Sequence, residues 1–418
     1  MGKGKEEMCN WTIWCTQNVL LSAFLLPFSE NTKHKVFKKA CASTDFFLKD
    51  YGEDGCCDEG AQYYRHAGLC LYQTLDILNH ITDGYFNSLW DDEKIKNMAL
   101  YILNVHVDDK YYINFADCSP VAGRAGIREY LFGKACGLDN LAKFAALDYK
   151  RNPEKFQPDE NNLYYRLQEA FTRKAILSED TDAPILHPHV FYSSVGLWIA
   201  RNDTYTAAAK CGDNNDSHNH NDTGSVTLFK NGCPFLADIG VESYTKKTFS
   251  AQRYEIWTMQ SDYHNLPTIN GIMQMNGAEY QATDISHCFT EDGGKISMDI
   301  AKAYPSDAHI EKYTRNVILS DSGLEITDSW SFDDKISHPV ILNFITYEKP
   351  AFSEDTPNIL RIGALGSLLL PLDYQASNIR IEELPITDPR LMQCWKHSLY
   401  RIRIAVPENA DSIQIMLS

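Results

Sequence analysis

A chain of 418 residues exceeds the length at which one hydrophobic core stops growing, so two domains are the expectation. A formal net charge of −17 and a pI near 5.2 exclude the basic footprint that nucleic-acid binding requires, but leave room for an anionic sugar held in a locally basic groove. Hydrophobic and charged fractions of 44% and 23% are those of a globular protein, and the 12% of aromatic residues suits either a large β core or rings stacked on sugars. The twelve cysteines include the adjacent pair Cys56 and Cys57 but no C-x-x-C metal spacing, and read as reduced thiols of a cytoplasmic protein.

The first apolar stretch, Trp11 to Phe28, has the look of a leader core. Thr16, Gln17, Asn18 and Ser22 interrupt it, no small-residue cleavage pattern follows, and it is too short and polar to span a bilayer. It predicts an amphipathic helix, with no membrane partner. Leu71, Leu75 and Leu78 recur at helical spacing between Gly68 and the breaker Asp83-Gly84. Ile95, Met98, Ile102 and Val105 do the same behind the acidic start Asp91-Asp92. Residues 1–165 therefore form an all-helical domain. The Asn, Asp, Glu and Pro-rich stretch beyond about residue 150 supplies a linker, set at 166–187.

From Pro188 the hydrophobic period becomes two, as in HVFYSSVGLWIARN, SVTLFKNGCPFLADIG, KISMDIAKAY and HPVILNFITYEKP. Asn231-Gly232 and Ser320-Asp321-Ser322-Gly323, each between apolar runs, are hairpin signals. Residues 188–418 thus read as an antiparallel β-sandwich domain.

Chemistry concentrates in DSHNHND, residues 216–222, where His218 and His220 alternate at a loop-to-strand junction. A strand, a tight hairpin and a second strand ending at Asp238 follow, and His264 lies in the loop-forming segment YHNLPTING. Two histidines and an aspartate are a donor set for zinc with an open position, and Mn²⁺ also fits. The competing reading is a turn whose polar side chains satisfy their own backbone.

The run HNHNDTGSVTLFKNGCPFLADIG with SAQRYEIWTMQSDYHNLPTINGIMQ resembles the C-terminal signature of the heparinase II/III-like polysaccharide lyases. DGCCDEGAQYYRHAG (54–68) and YYINFADCSPVAGRAG (111–126) resemble weaker motifs of the same family. The resemblance implies an (α/α) toroid followed by a β-sandwich, and cleavage of a uronic-acid polysaccharide or oligosaccharide by β-elimination. It also implies His218 as catalytic acid/base, and His220, Asp238 and His264 as ligands of a divalent metal, zinc before manganese. A tyrosine is the family's usual second catalytic group, here Tyr112 or Tyr111. A phenol titrates near 10, so acting as a base requires a nearby cation, which Arg124 or Arg128 could supply while also clamping a carboxylate. A solvated helix face is the equal alternative for those arginines.

The chain departs from the family at the start of the EG motif. Relatives carry a His or Asn there to neutralise the substrate carboxylate, whereas this chain has Cys56-Cys57-Asp58-Glu59. Glu59, Gln62, His66, Arg124, Arg128 and Asn219 are the remaining candidates for substrate contact. The toroid also reads as shortened, which leaves an open cleft or calls for a second subunit of a homo-oligomer. Two rivals to a lyase stand: a non-catalytic acidic-sugar-binding protein of the same fold, and a metal-dependent glycan hydrolase.

Overall fold

A computed structural model describes residues 9–418 except 152–161 and positions 335, 354, 355, 357, 373 and 375. The chain divides into two compact units, one of residues up to 104 with 123–187, the other of residues 105–122 with 188–418.

The first unit is helical. Its helices are α1 (Asn10–Leu25), α2 (Glu30–Asp50), α3 (Gly68–Ile81), α4 (Glu93–Val105), α5 (Ile127–Ala135), α6 (Asp139–Arg151) and α7 (Leu163–Ser178). α3 and α4 bury the residues their spacing predicts, and the Asp92 carboxylate caps α4 by accepting from the backbone N–H groups of Lys94 and Ile95. α1 forms where expected, but its faces differ from a simple amphipathic pattern. Asn10, Thr16 and Gln17 are buried while Trp11 and Leu25 are exposed. Partners inside the unit meet these buried polar groups in part: Asn10 donates to Glu59 at 2.9 Å, Thr16 to Thr12 O at 2.7 Å, and Gln17 accepts from the Tyr165 hydroxyl at 2.8 Å while its Nε2 finds none among the described residues. Among the described residues no helix is long and apolar enough to cross a membrane.

Two boundaries differ from the sequence expectation. The proposed linker 166–187 is helical through Ser178, because Asn162 caps α7 and nothing breaks the helix before Glu179. The part of the linker region at 152–161 lies outside the described residues. Residues 105–122, expected in the helical domain, belong to the β unit. They form the short antiparallel strands His106–Asp108 and Tyr111–Tyr112 and a Pro and Asp-containing loop that no helix could accommodate.

The second unit contains three antiparallel sheets of three or more strands. The five-stranded sheet runs in chain order through Val190–Tyr192, Leu197–Arg201, Tyr205–Lys210, Val226–Lys230 and Cys233–Leu236. Its last hairpin turns at Asn231 and Gly232, both at positive φ (49° and 74°), as a two-residue connection demands. An eight-stranded sheet is centred on the long hairpin Ile310–Ser320 and Gly323–Phe332, in register from Ser320 opposite Gly323. A four-stranded sheet contains Val340–Thr346 and Leu399–Ala405. One apolar core draws on all three, including Trp198, Leu228, Val317, Ile326, Phe344 and Ile402.

Within that core sits a fully buried ion pair. Arg315 meets Asp328 across the hairpin through two parallel bonds, Nε to Oδ1 at 2.9 Å and Nη2 to Oδ2 at 2.7 Å. Its remaining nitrogen, Nη1, donates to the carbonyls of Gly224 and Asn265, both at 2.9 Å. Asn265 in turn spans three strands: its amide donates to Val226 O and Ala237 O, and its carbonyl accepts from Ile345 N.

Replacing Asp328 with Asn strands a buried guanidinium, and should lower the stability of the β unit by about 3–5 kcal/mol in urea unfolding. The apolar pair Arg315→Met with Asp328→Leu should recover much of that loss, and a single variant of wild-type stability would show the pair to be dispensable.

Candidate functional site

The loop that leaves Tyr205–Lys210 passes through the strand Asp213–Asn214 and the 216–222 segment before Val226–Lys230 begins. Asn214 folds it: its side-chain oxygen accepts from the backbone N–H groups of Asp222 and Thr223 and from the Thr223 hydroxyl. Buried Lys210 fixes its start, donating to Val195 O and pairing with Asp216, each at 2.6 Å. Gly224 ends it on the Arg315 guanidinium. His218 sits at the exposed crest with φ at 58°, a left-handed conformation that a non-glycine residue adopts only when its surroundings enforce it.

What enforces it is Asp117, a fully buried carboxylate from the 105–122 segment. Asp117 Oδ2 accepts from His218 Nδ1 at 2.8 Å and from the Tyr244 hydroxyl at 3.0 Å. Its Oδ1 accepts from His220 Nε2 at 3.0 Å and from Arg253 Nη2 at 2.6 Å. Burial alone would raise the Asp117 pKa, but the bonds from His218, His220 and Arg253 hold it far below the usual carboxylate range. The ionised carboxylate is an acceptor only, so both histidines present N–H to it. For His218, 24% exposed at its side chain, chemistry with an outside partner then falls to Nε2.

The second ring behaves differently. His220 is buried, and burial, partly opposed by its bond to Asp117, pushes its pKa down, so it is neutral. With the hydrogen on Nε2, its Nδ1 carries a bare lone pair that is buried and meets no hydrogen-bond partner. His264 stands beside it, ring centroids 5.1 Å apart. His264 Nδ1 is 2.7 Å from Asp238 Oδ2 and its Nε2 is 2.9 Å from Thr258 O. Burial opposes charge on His264, but Asp238 outweighs it and raises the pKa. Asp238 Oδ1 is held separately by Asn114 Nδ2 at 2.8 Å and by Gly240 N at 3.0 Å. Ligating atoms of Asp222, Asp238 and His264 all lie within 4.8 Å of one another, and all three residues are buried. One imidazole and two carboxylates with close ligating atoms, and the orphaned Nδ1 of the neighbouring His220 ring, are a donor set of the kind a zinc-type ion takes.

Of the expected metal residues, Asp238 and His264 join Asp222 in one set of close ligating atoms, and His220 stands beside His264 without joining it. The two expected tyrosines stand elsewhere: Tyr112 packs edge-on to His106, and Tyr111 against Phe229, with burial pushing its pKa to about 12. The tyrosine stacked on His218 is Tyr244, rings 6.2 Å apart and hydroxyl 3.4 Å from Nδ1, with the Arg390 guanidinium 4.7 Å from the tyrosine ring centre. Asn219 is buried and donates to the Tyr254 hydroxyl at 3.2 Å.

The other substrate-contact candidates belong to the helical unit. Glu59 is buried on Asn10, Arg124 pairs with Asp148 at 2.9 Å, and Arg128 donates to Arg65 O and lies over the Tyr165 ring. His66 packs at a tilt of 38° against Trp14, which with Trp11 borders a cleft of about 420 Å³, and Gln62 is partly buried in the turn before α3. Cys56 and Cys57 are buried. Asp117, Asp222, Arg253, Tyr244 and Arg390 escaped the sequence reading. Only Asp222 carried a signal, as the third alternating residue after His218 and His220.

Residues 184–352 match the family described as heparinase II/III-like, C-terminal. Through these residues the β unit resembles the C-terminal domain of the heparinase II/III-like family. Its fold agrees with a solved heparinase III (14% identity, TM-score 0.66, covering 99% of this chain and 60% of that one). It agrees equally with the heparan sulfate lyase HepC of Pedobacter heparinus (13% identity, TM-score 0.65, the same coverages). The chain therefore spans 60% of the length of those structures. No curated protein matches it.

Because the fully buried Asp117 carboxylate pairs with partly buried Arg253 and orients two histidines, Asp117→Asn should cost about 3 kcal/mol in thermal or urea unfolding. A loss within 0.5 kcal/mol, the order of an ordinary surface substitution, would show that the four donors hold one another without it.

Proposed function

We propose that this protein is a polysaccharide lyase that cleaves a uronic-acid-containing chain by β-elimination, with a zinc-type ion holding the β unit's loops. The observation that carries this reading is His218: a partly exposed imidazole in a strained backbone, its Nδ1 fixed on a buried carboxylate, two residues from His220, whose ring stands beside a buried His264, Asp222 and Asp238 cluster in a heparinase II/III-like domain. The names of the solved structures it resembles, heparinase III and heparan sulfate lyase, make heparan-type glycosaminoglycans the first substrates to try.

In β-elimination a base takes the C5 proton, the electron pair forms the C4–C5 double bond, and the C4–oxygen bond breaks with protonation of the leaving oxygen. His218 Nε2 serves as one proton-transfer atom. Asp117 keeps that imidazole in one orientation and stabilises its protonated form. Tyr244 is the second candidate: its hydroxyl reaches both Asp117 and His218, and Arg390 supplies the cation a phenolate needs. Arg390 offers positive charge near the developing carboxylate charge, while Arg253 is spent on Asp117. The ion, when bound by His220, Asp238 and His264 with Asp222 beside them, supplies charge neutralisation among buried carboxylates. The expected tyrosines Tyr111 and Tyr112 remain alternatives to Tyr244.

Burial of Cys56 and Cys57 where relatives place a carboxylate-neutralising residue favours a second reading, a sugar-binding protein without turnover.

With heparan sulfate, chondroitin sulfates and alginate as a panel, the lyase reading expects products that absorb as unsaturated uronates. His218→Ala should cut turnover by about 10²–10⁴-fold while fold and metal content persist. Binding with no unsaturated product across the panel supports the second reading and overturns the first. Elemental analysis should find about one equivalent of metal lost in His220→Ala or His264→Ala, with a lowered unfolding midpoint; full retention would refute the ligand assignment.

A further inference from the structure

A second cluster of metal-ligating side chains lies elsewhere in the β unit, at the end of the long hairpin. The register that places Ile310 opposite Phe332 brings His309 and Asp333 together just beyond it, closed by a bond from Asp333 N to His309 O at 2.9 Å. The chain then turns so that His338, four residues after Asp334, returns over the same spot. The rings of His309 and His338 stack with centroids 5.1 Å apart and planes within 10°. Phe332 supports His338 edge-on at 5.0 Å.

Carboxylate oxygens converge on these rings. Asp334 Oδ1 is occupied by the backbone N–H of Ile336 at 3.0 Å, which leaves Oδ2 aimed at the histidines, 2.7 Å from His338 Nε2 and 3.9 Å from His309 Nδ1. Asp333 Oδ1 adds a second carboxylate 3.2 Å from His309 Nδ1. Ligating atoms of His309, Asp334 and His338 lie within 4.8 Å of one another. Donors around a tetrahedral zinc sit about 3.3 Å apart, so side-chain adjustments alone would close the set.

We propose that His309, Asp334 and His338 form a second divalent-metal site, with Asp333 completing the charge balance. Two imidazoles and carboxylate oxygen select zinc, cobalt, nickel or copper over magnesium and calcium. The bound ion ties the turn after Gly323–Phe332 to the loop before Ile310–Ser320, closing the open end of the hairpin that carries Arg315 and Asp328. The side chains are partly exposed, from 15% at His338 to 44% at His309, so the ion exchanges with solvent more readily than one at the buried cluster.

The test uses the full chain, stripped with chelator and dialysed against micromolar free Zn²⁺, with metal counted by mass spectrometry. Wild-type protein is expected to hold two equivalents, H338A one, H220A one, and the double variant H220A/H338A none. Zinc should raise the unfolding midpoint of H220A but not of H220A/H338A. If H338A fails to fold by circular dichroism, D334N replaces it. A zinc content that H338A and D334N both leave unchanged overturns the proposal. One equivalent that H338A removes and H220A spares would instead uphold this site and overturn the ion at His220.

Discussion

The buried guanidinium of Arg315 is the constraint on which the β unit's chemistry rests. A charge taken wholly out of water must have its counter-charge and its hydrogen-bond acceptors placed accurately. Asp328 supplies the first across one hairpin. The acceptors are backbone carbonyls at two points that matter, Gly224 at the end of the histidine loop and Asn265 directly after His264. Satisfying one arginine therefore fixes the ends of both segments that bring His220 and His264 together.

Asp117 has the corresponding role at the crest. One carboxylate collects donors from three places, the histidine loop, Tyr244 and Arg253, and its sharing divides the two histidines into different chemical species. His218 is partly exposed with Nδ1 held on Asp117, and His220 is buried with Nε2 held on Asp117 and Nδ1 in no hydrogen bond among the described residues. Alternating residues two apart thus serve two tasks because a third, distant residue holds both by the same group.

Much of this was legible in the sequence where the cause is local. Asn231-Gly232 specifies its turn through φ preferences, and the buried spacing of α3 and α4 follows from helix geometry. The motif and the resemblance pointed to His220, Asp238 and His264, of which Asp238 and His264 meet and His220 stands beside them. Asp117 was not legible, because its partners lie more than 100 positions away and nothing in FADCSP marks that aspartate. The assignment of residues 105–122 to the helical domain failed for the same reason: their affiliation is set by long-range pairing. The helix inside the expected linker was detectable, since Leu163, Leu167 and Phe171 recur at spacing four, but they are exposed, and the neighbouring polar composition obscured them.

Asn265 has a bearing on the order of assembly. Its single amide side chain joins Val226, Ala237 and Ile345, separated from it by 39, 28 and 80 positions. Each of those bonds requires a strand that has already found its sheet, and loop-closure entropy makes such distant pairings late and slow. Adjacent His264 is therefore seated only after the sheets have formed, so in a partly folded chain the side chains of the buried cluster are dispersed, and their gathering is a property of the finished fold.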